Sequence, residues 1–520
     1  MRRFMERMIN FIASQMVKAI RRPSRVFVLP YVFVLRPTAL LLGHFIVLIF
    51  IWLRVWPRGI PKTLARIEAD YQFRLGYALL NENNPEKAWP SFERCLKISD
   101  DCHHFTVAAV CLHVGLGRMR DAVKLYQKSN QIRLTSRAIT GTGEQDQICL
   151  LDDFWARHIG HASQIDYVLK LRILGGHKPE DTILYTPQFD KLPNRFLVEQ
   201  WKPYLRLIKD ARELPFEEQY VKHYALDFYV PGLTGIGKYY LWELAAQTYQ
   251  RWAQEGRGPL LKLGEEIEDR GRRALASAGL PHDAWFVGLH VREPAYHSHH
   301  RDLHNVLNAR IEDYLPAISE ITQRGGWVVR MGDPSMTSLP QLPNVLDYCH
   351  SEIRSDWMDV FLAAKSRFFI GTPSGVCYVA QDYGVPCVLT NWWPPAQRPW
   401  HRGDIFVPKL IRRTRTGEIL SLDESLSEPF GYCNSEAYLE DGHQVIVQDN
   451  DPEDIRAAVV EMFQRTNGGQ KYDQSDLAMA EHAERIYVSA AMRLYDSPGA
   501  FGAAALARDF LRRNPSFVQT

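Results

Sequence analysis

The sequence predicts an α/β protein. Two successive units of parallel strands and helices follow a membrane-associated helical segment and a short α-helical region. From residue 146 onward, short apolar runs alternate with helical stretches, the pattern of parallel sheets joined by crossover helices. Several of the later runs end in polar or glycine-rich turns, where such sheets bind ligands. The third observation is a split in charge. Residues 1–62 carry eleven Lys or Arg against the single acid Glu6, a charge of +10, which leaves the rest of a chain of net charge +2 at −8. With 46% apolar and 23% charged residues, the 520-residue chain is globular, which excludes disorder, collagen and coiled coil as its main architecture. A basic head on an acidic body argues against a nucleic-acid groove and for a membrane-proximal segment on a soluble body.

The head, 1–62, is expected to anchor the chain. Phe4, Met5, Met8, Ile9, Ile12, Met16 and Val17 recur at helical spacing between Arg2, Arg3, Arg7 and Lys18, a basic amphipathic helix suited to anionic lipid. Two apolar runs follow, Val26–Leu35 and Thr38–Leu53, the second slightly short of the ~20 residues a spanning helix needs. A single span would place the body outside. A re-entrant pair turning at Arg36-Pro37 would keep both ends inside. The expectation is attachment to a bacterial inner membrane with a cytoplasmic body.

The next region, 63–135, shows a 34-residue period. Leu75-Gly76, Leu79, Ala88, Phe92 and Cys95 stand where a tetratricopeptide repeat places its Leu-Gly, Ala, aromatic and small residues. Ala122, Tyr126 and Ser129 repeat the second-helix pattern, while Ala109-Val110 and His113 depart from the first. One good and one degenerate repeat are too few for a free solenoid, so packing against the next domain is expected, with a protein partner as the alternative role.

The first α/β unit is placed at 146–278. A strand at Gln147–Leu151, a loop Asp152–His161 and a helix from about Ala162 to Leu174 lead to a second strand at Thr182–Tyr185. Gly160 and His161 then lie at the ligand edge. Pro231–Lys238 is glycine-rich but lacks phosphate-loop spacing. The second unit, 279–515, carries the more informative motifs. Trp285–Glu293 is a strand with Gly288, His290 and Arg292 on one face. An arginine at its carboxyl end can fork two bonds to a phosphate. Gly326–Pro334 is a second strand, ending at Arg330, Gly332 and Asp333. Arg367–Gly375 runs from strand to turn to helix through Gly371, Thr372 and Ser374, with Ser374 placed to cap a helix start that can seat an anion. Pro386–Thr390 leads to Asn391. Together these ends outline a nucleotide-diphosphate pocket.

At these residues the sequence resembles the fucosyltransferase-like group of two-domain GT-B glycosyltransferases, through His290-Val291-Arg292. It resembles more closely a family of bacterial glycosyltransferases through His-Val-Arg-Glu, Asn308–Tyr314, Val-Arg-Met-Gly-Asp and Phe-Ile-Gly-Thr-Pro-Ser-Gly. The group's second arginine is replaced here by Glu293. The resemblance, over about 146–515, implies two Rossmann-like domains and a nucleotide-sugar donor. By it, Arg292 holds the donor's β-phosphate, Arg330–Asp333 the base or ribose, and Gly371–Gly375 the diphosphate, with His290 and Asn391 also on the donor side. It places the acceptor, a glycan or lipid-linked molecule, in the first domain near Gly160 and His161. The implied activity is hexosyl or fucosyl transfer at the cytoplasmic membrane face, in surface polysaccharide synthesis, with no cofactor and no metal. Glu293 and His161 are the candidates for the base.

Two other readings stand beside it. His297, His299, His300 and His304 with Asp302 suggest a metal hydrolase, but the spacing fits no zinc motif, and a loop closing over donor or acceptor is the better use of His297. A membrane-tethered scaffold with an inactive GT-B unit is the other. The eight cysteines show no C-x-x-C pair and read as reduced thiols.

Overall fold

The computed structural model describes residues 60–139, 148–226, 241–294, 305–469, 472–495 and 497–519. The expected anchor, apart from 60–62, lies outside them, as do the glycine-rich stretch 231–238 and the histidine-rich stretch 297–304. Among the described residues no helix is long and apolar enough to cross a membrane.

The chain divides into two compact units. Among the described residues the smaller comprises 60–77 together with Pro90–Asp100. Within it the Phe73 ring lies 6.0 Å from Tyr77 and 6.1 Å from Phe92. Gly76 faces Phe92 so closely that a Cβ there would stand 3.0 Å from the ring, which is why the Leu-Gly position tolerates no side chain. These residues belong to helices α1 (Ile60–Asn81) and α2 (Pro85–Leu96).

The larger unit holds Ala78–Trp89 and everything from Asp101 onward. Its first helices, α3 (Cys102–Val110) and α4 (Met119–Ile139), meet through Thr106 and Ser129, whose hydroxyls are 2.8 Å apart. The departure at Ala109–His113 has a structural counterpart: α3 runs into a π-helical turn, Cys111–Gly115. His113 is buried there against Tyr126 and Tyr432.

Three short parallel strands follow, β1 (Cys149–Leu151), β2 (Thr182–Tyr185) and β3 (Arg206–Ile208), ordered β1-β2-β3. A bridge from Leu150 to Ala225 extends the sheet at the β1 edge. The crossover helix α5 spans Ile159–Leu174, so the stretch expected as a loop to His161 is already helical from Ile159. Asn194 caps the short α6 (Arg195–Gln200) by accepting from the Leu197 N–H at 2.8 Å. Two helices follow, α7 (Leu241–Gln254) and α8 (Glu265–Ser277).

The second sheet has seven strands among the described residues, all paired in parallel. They are β4 (Phe286–His290), β5 (Trp327–Arg330), β6 (Val345–Leu346), β7 (Phe369–Gly371), β8 (Cys387–Trp392), β9 (Ile405–Pro408) and β12 (Ala505–Leu506), with β10 (Leu410–Arg413) and β11 (Val445–Gln448) forming a separate antiparallel ribbon. The order is β12-β9-β8-β7-β4-β5-β6. β4, β7 and β8 are buried at every position, as central parallel strands covered on both faces must be. The covering helices include α9 (Leu315–Gln323), α10 (Asp356–Lys365), α11 (Gly375–Asp382), α12 (Pro452–Thr466) and α13 (Gln474–Tyr495). One apolar cluster runs through both sheets, from Leu151 and Ile165 to Leu289 and Phe406.

On the amino-terminal side of β9, buried Asp404 ties β8 to α11. Its carboxylate accepts from the Cys387 N–H at 2.8 Å and from Gln381 Nε2 at 2.5 Å. Burial pushes its pKa up from 3.8 to about 7. Folded Asp404 therefore holds its proton more tightly than the unfolded chain does. Its contribution to stability is full below 3.8 and is lost as pH rises through about 7. Asp404→Asn retains an acceptor for Cys387, and a flipped Gln381 can receive the new amide. Thermal melts of Asp404→Asn from pH 5 to 8.5 are expected to lose less Tm than wild type over that interval, with the variant gaining most at the alkaline end.

Candidate functional site

The strand order creates a switch point. Chain succession runs one way from β4 to β5 and β6, and the other way from β7 to β8 and β9. Between neighbours β4 and β7 the connections diverge, and in open parallel sheets ligands bind in the crevice beyond the carboxyl ends at that place. The loops there are His290–Glu293 after β4 and Gly371–Gly375 after β7, two of the sequence-predicted motifs.

These two loops are stitched together. The Arg292 N–H donates to Thr372 Oγ1 at 3.0 Å, and the Thr372 N–H donates to the His290 carbonyl at 3.2 Å. The Arg292 carbonyl accepts from Ala309, so its backbone is held on both sides while the residue remains half-buried. His290 Nδ1 and Ser374 Oγ lie 3.0 Å apart. Burial, then the charges of Arg292 and Arg330, hold the His290 imidazole down to about pKa 4, so it is a neutral partner for Ser374 near pH 7. Ser374 occupies the N-cap position of α11, but its hydroxyl makes no capping bond to the helix. The sequence expectation of a capping hydroxyl is corrected here: Ser374 turns toward His290, and the first turn of α11 starts without a side-chain cap.

Gly160 meets Gly375 backbone to backbone. A Cβ on Gly160 would stand 2.9 Å from the Gly375 Cα, so the starts of α5 and α11 come together only because both residues lack side chains. This contact brings His161, in the first turn of α5, to the same edge. His161 Nδ1 is 3.1 Å from the Phe154 carbonyl, and its ring packs 4.9 Å from Phe154 and 5.0 Å from His158. A ring that donates from Nδ1 to that carbonyl carries its lone pair on Nε2. Burial, reinforced by His158 and opposed by the Phe154 bond, lowers its pKa to about 4.

Several predicted site residues are committed to other partners. Glu293 and Arg330 form an ion pair at 2.5 Å, with side chains 6% and 0% exposed. The other Glu293 oxygen accepts the Thr337 N–H at 2.9 Å, and Arg330 also reaches Asp347 at 3.2 Å and the Thr337 carbonyl. Glu293 is thus a brace rather than a base, and Arg330 points inward rather than toward a nucleotide. Two buried opposite charges satisfy each other at a cost far below that of either alone. Asn391 is buried with φ +50, donating to Tyr314 at 3.1 Å and accepting from the Asn450 N–H at 2.8 Å, which joins β8 to the segment after β11. Asp333 folds its own turn by accepting from Ser335 at 2.9 Å, and Gly332 makes the bend with φ +157.

Lys409, after β9, was not singled out by the sequence reading. Its buried ammonium donates to the Asn308 carbonyl at 2.9 Å and pairs with Asp449 at 2.5 Å, fixing the segment that returns from the Arg292 loop. Its only sequence signal was a cation directly after a buried strand. The cavity of about 440 Å³ lined by Arg398, Tyr472 and Tyr487 lies between α13 and the segment preceding β9, away from this edge.

No family model and no curated protein matches the sequence. Among solved structures the chain is similar to the glycosyl transferase family 9 from Veillonella parvula DSM 2008, with 12% identity, a TM-score of 0.29, and coverage of 61% of this chain and 81% of that one. It is also similar to the iron-containing dodecameric glycosyltransferase TibC from enterotoxigenic E. coli H10407, with 14% identity, a TM-score of 0.27, and coverage of 46% of this chain and 57% of that one. Overlaps this shallow identify neither the fold family nor the activity.

Two substitutions check the geometry. Glu293→Gln removes one of the two carboxylates paired with buried Arg330, leaving Asp347, and is expected to cost about 1–3 kcal/mol of stability by denaturant titration. An unchanged midpoint with lost activity would instead restore Glu293 as a base. Gly375→Ala forces α11 away from α5, with an expected cost of about 1–3 kcal/mol.

Proposed function

We propose that the chain is a metal-independent glycosyltransferase of the two-domain GT-B kind, moving a hexose or fucose from a nucleotide-diphosphate donor to a hydroxyl on a glycan or lipid-linked acceptor. The observation that carries this is the switch-point crevice, where Arg292 stands beside the uncapped first turn of α11. The Arg292 guanidinium and the first-turn N–H groups of a helix together make a positive seat for a diphosphate.

The proposed chemistry follows from the placement. The donor's diphosphate lies across Arg292 and the Gly375 end of α11. As the bond from anomeric carbon to phosphate oxygen breaks, negative charge grows on the leaving phosphate, and both groups stabilise it more in the transition state than before. The acceptor hydroxyl approaches from the α5 side, where His161 Nε2 accepts its proton. The imidazole's low basicity fits a proton transfer late in that step, when the hydroxyl has become acidic. The His290–Ser374 pair keeps the helix start oriented.

In this reading the basic 1–62 segment holds the body at the cytoplasmic face of a bacterial inner membrane, and the acceptor belongs to surface polysaccharide synthesis. The repeat-like helices pack on the body or hold a protein partner, and the 297–304 stretch closes over donor or acceptor.

Arg292→Ala is expected to lower turnover about 10²–10³-fold, the scale for removing one preorganised electrostatic donor. Arg292→Lys keeps the charge, loses the fork, and should remain badly impaired. Both should melt within a few degrees of wild type. A folded Arg292→Ala protein with near-normal turnover ends the assignment. Donor identity is checked by thermal shift with GDP-, UDP- and dTDP-sugars, with a CMP-sugar as the monophosphate control. A true donor at 100 times its Kd stabilises the fold by about 2.7 kcal/mol.

A further inference from the structure

The turn after β6 places three different metal-binding chemistries within four residues: Asp347, Cys349 and His350. Their donor atoms converge. Cys349 Sγ lies 3.0 Å from Asp347 Oδ1 and 3.2 Å from His350 Nδ1, which in turn lies 3.0 Å from Asp347 Oδ2. Ligand atoms on a tetrahedral zinc, with Zn–S near 2.3 Å and Zn–N near 2.0 Å, sit about 3.5 Å from one another. The triangle is therefore within about half an ångström of a ligand face.

We propose that Asp347, Cys349 and His350 form a binding site for a zinc-class divalent cation, with the remaining position open to water on the half-exposed His350 side. Thiolate, imidazole and carboxylate together select zinc or cobalt over the hard, oxygen-seeking magnesium and calcium. The carboxylate is oriented in advance: Asp347 Oδ2 accepts from the Leu339 N–H at 3.0 Å, and Arg330 lies 3.2 Å from Oδ1.

A cation next to arginine needs charge to balance it. Arg330 is already paired with buried Glu293 at 2.5 Å, so those two cancel. Asp347 and a Cys349 thiolate then supply the two negative charges a divalent ion requires. Without metal, the Cys349 S–H donates to the Asp347 carboxylate at 3.0 Å. On binding, the S–H proton leaves to solvent as the sulfur–metal bond forms, and the imidazole carries its proton on Nε2. The site would pin the end of β6 to the 337–339 loop. It stands independently of the glycosyltransferase reading.

The test uses the full chain, stripped with a chelator and titrated with Zn²⁺ and with Co²⁺. One equivalent of Co²⁺ is expected to give a thiolate-to-cobalt charge-transfer band in the near ultraviolet together with the intense visible bands of tetrahedral cobalt, and Zn²⁺ should abolish both. Cys349→Ser should remove the charge-transfer band, and His350→Ala should weaken Zn²⁺ binding by at least about 10-fold. His350 is partly exposed, so its loss leaves the fold intact; melts of the stripped variants should match the stripped wild type. Absence of saturable binding overturns the proposal. So does a band that survives Cys349→Ser, which would assign it to another cysteine, or an affinity unchanged by His350→Ala.

Discussion

The backbone contact between Gly160 and Gly375 sets the geometry of the α/β body. Two helices begin side by side there, one from each sheet, with their positive ends together. Like helix ends repel, and each carries roughly half a charge, so the arrangement must be supported from below or neutralised from above. Support comes from the buried flank of α5. Lys170 pairs with Asp166 at 2.6 Å, both almost fully enclosed, while its ammonium lies over the Tyr249 ring. Burial, then the nearby Asp166 charge, raises the Asp382 pKa well above its ordinary value, and a neutral acid spares the interface a second anion.

The second organising element is the buried Arg330 network. Arg330 gathers Glu293 from the end of β4, Asp347 from the end of β6 and the Thr337 carbonyl from the intervening loop. One guanidinium thereby fixes three connections that have no secondary structure of their own. Asn391 plays the same part on the other side of the sheet, joining β8 to Tyr314 and to Asn450. These polar residues at strand ends had the chemistry expected of ligands. Buried polar groups must be paired, so inside a closed edge they pair with one another and rigidify the loops.

Much of this was legible in the residues themselves. Continuous apolar runs such as Phe286–Leu289 and Phe368–Ile370 announce central strands, because both faces of such a strand are covered. The turn Gly371–Gly375 announces a strand-to-helix corner. The direction of a side chain at a strand end was not legible. Periodicity places Arg330 and Glu293 on strands and turns, but whether they face a ligand or each other depends on what β6 brings alongside, and the partner Asp347 lies 17 residues beyond Arg330.

The sequence by itself determined the class of the protein: parallel strands with crossover helices, ligand edges at their carboxyl ends, a basic head on an acidic body. Those are local or compositional properties, set by hydrophobic periodicity, glycine positions and charge. Tertiary structure alone decided that β4 and β7 are neighbours across a switch point and that Gly160 touches Gly375 across 215 residues of chain. Strand order and side-chain direction come from how separated segments share one core, and no window of sequence contains both partners of such a contact.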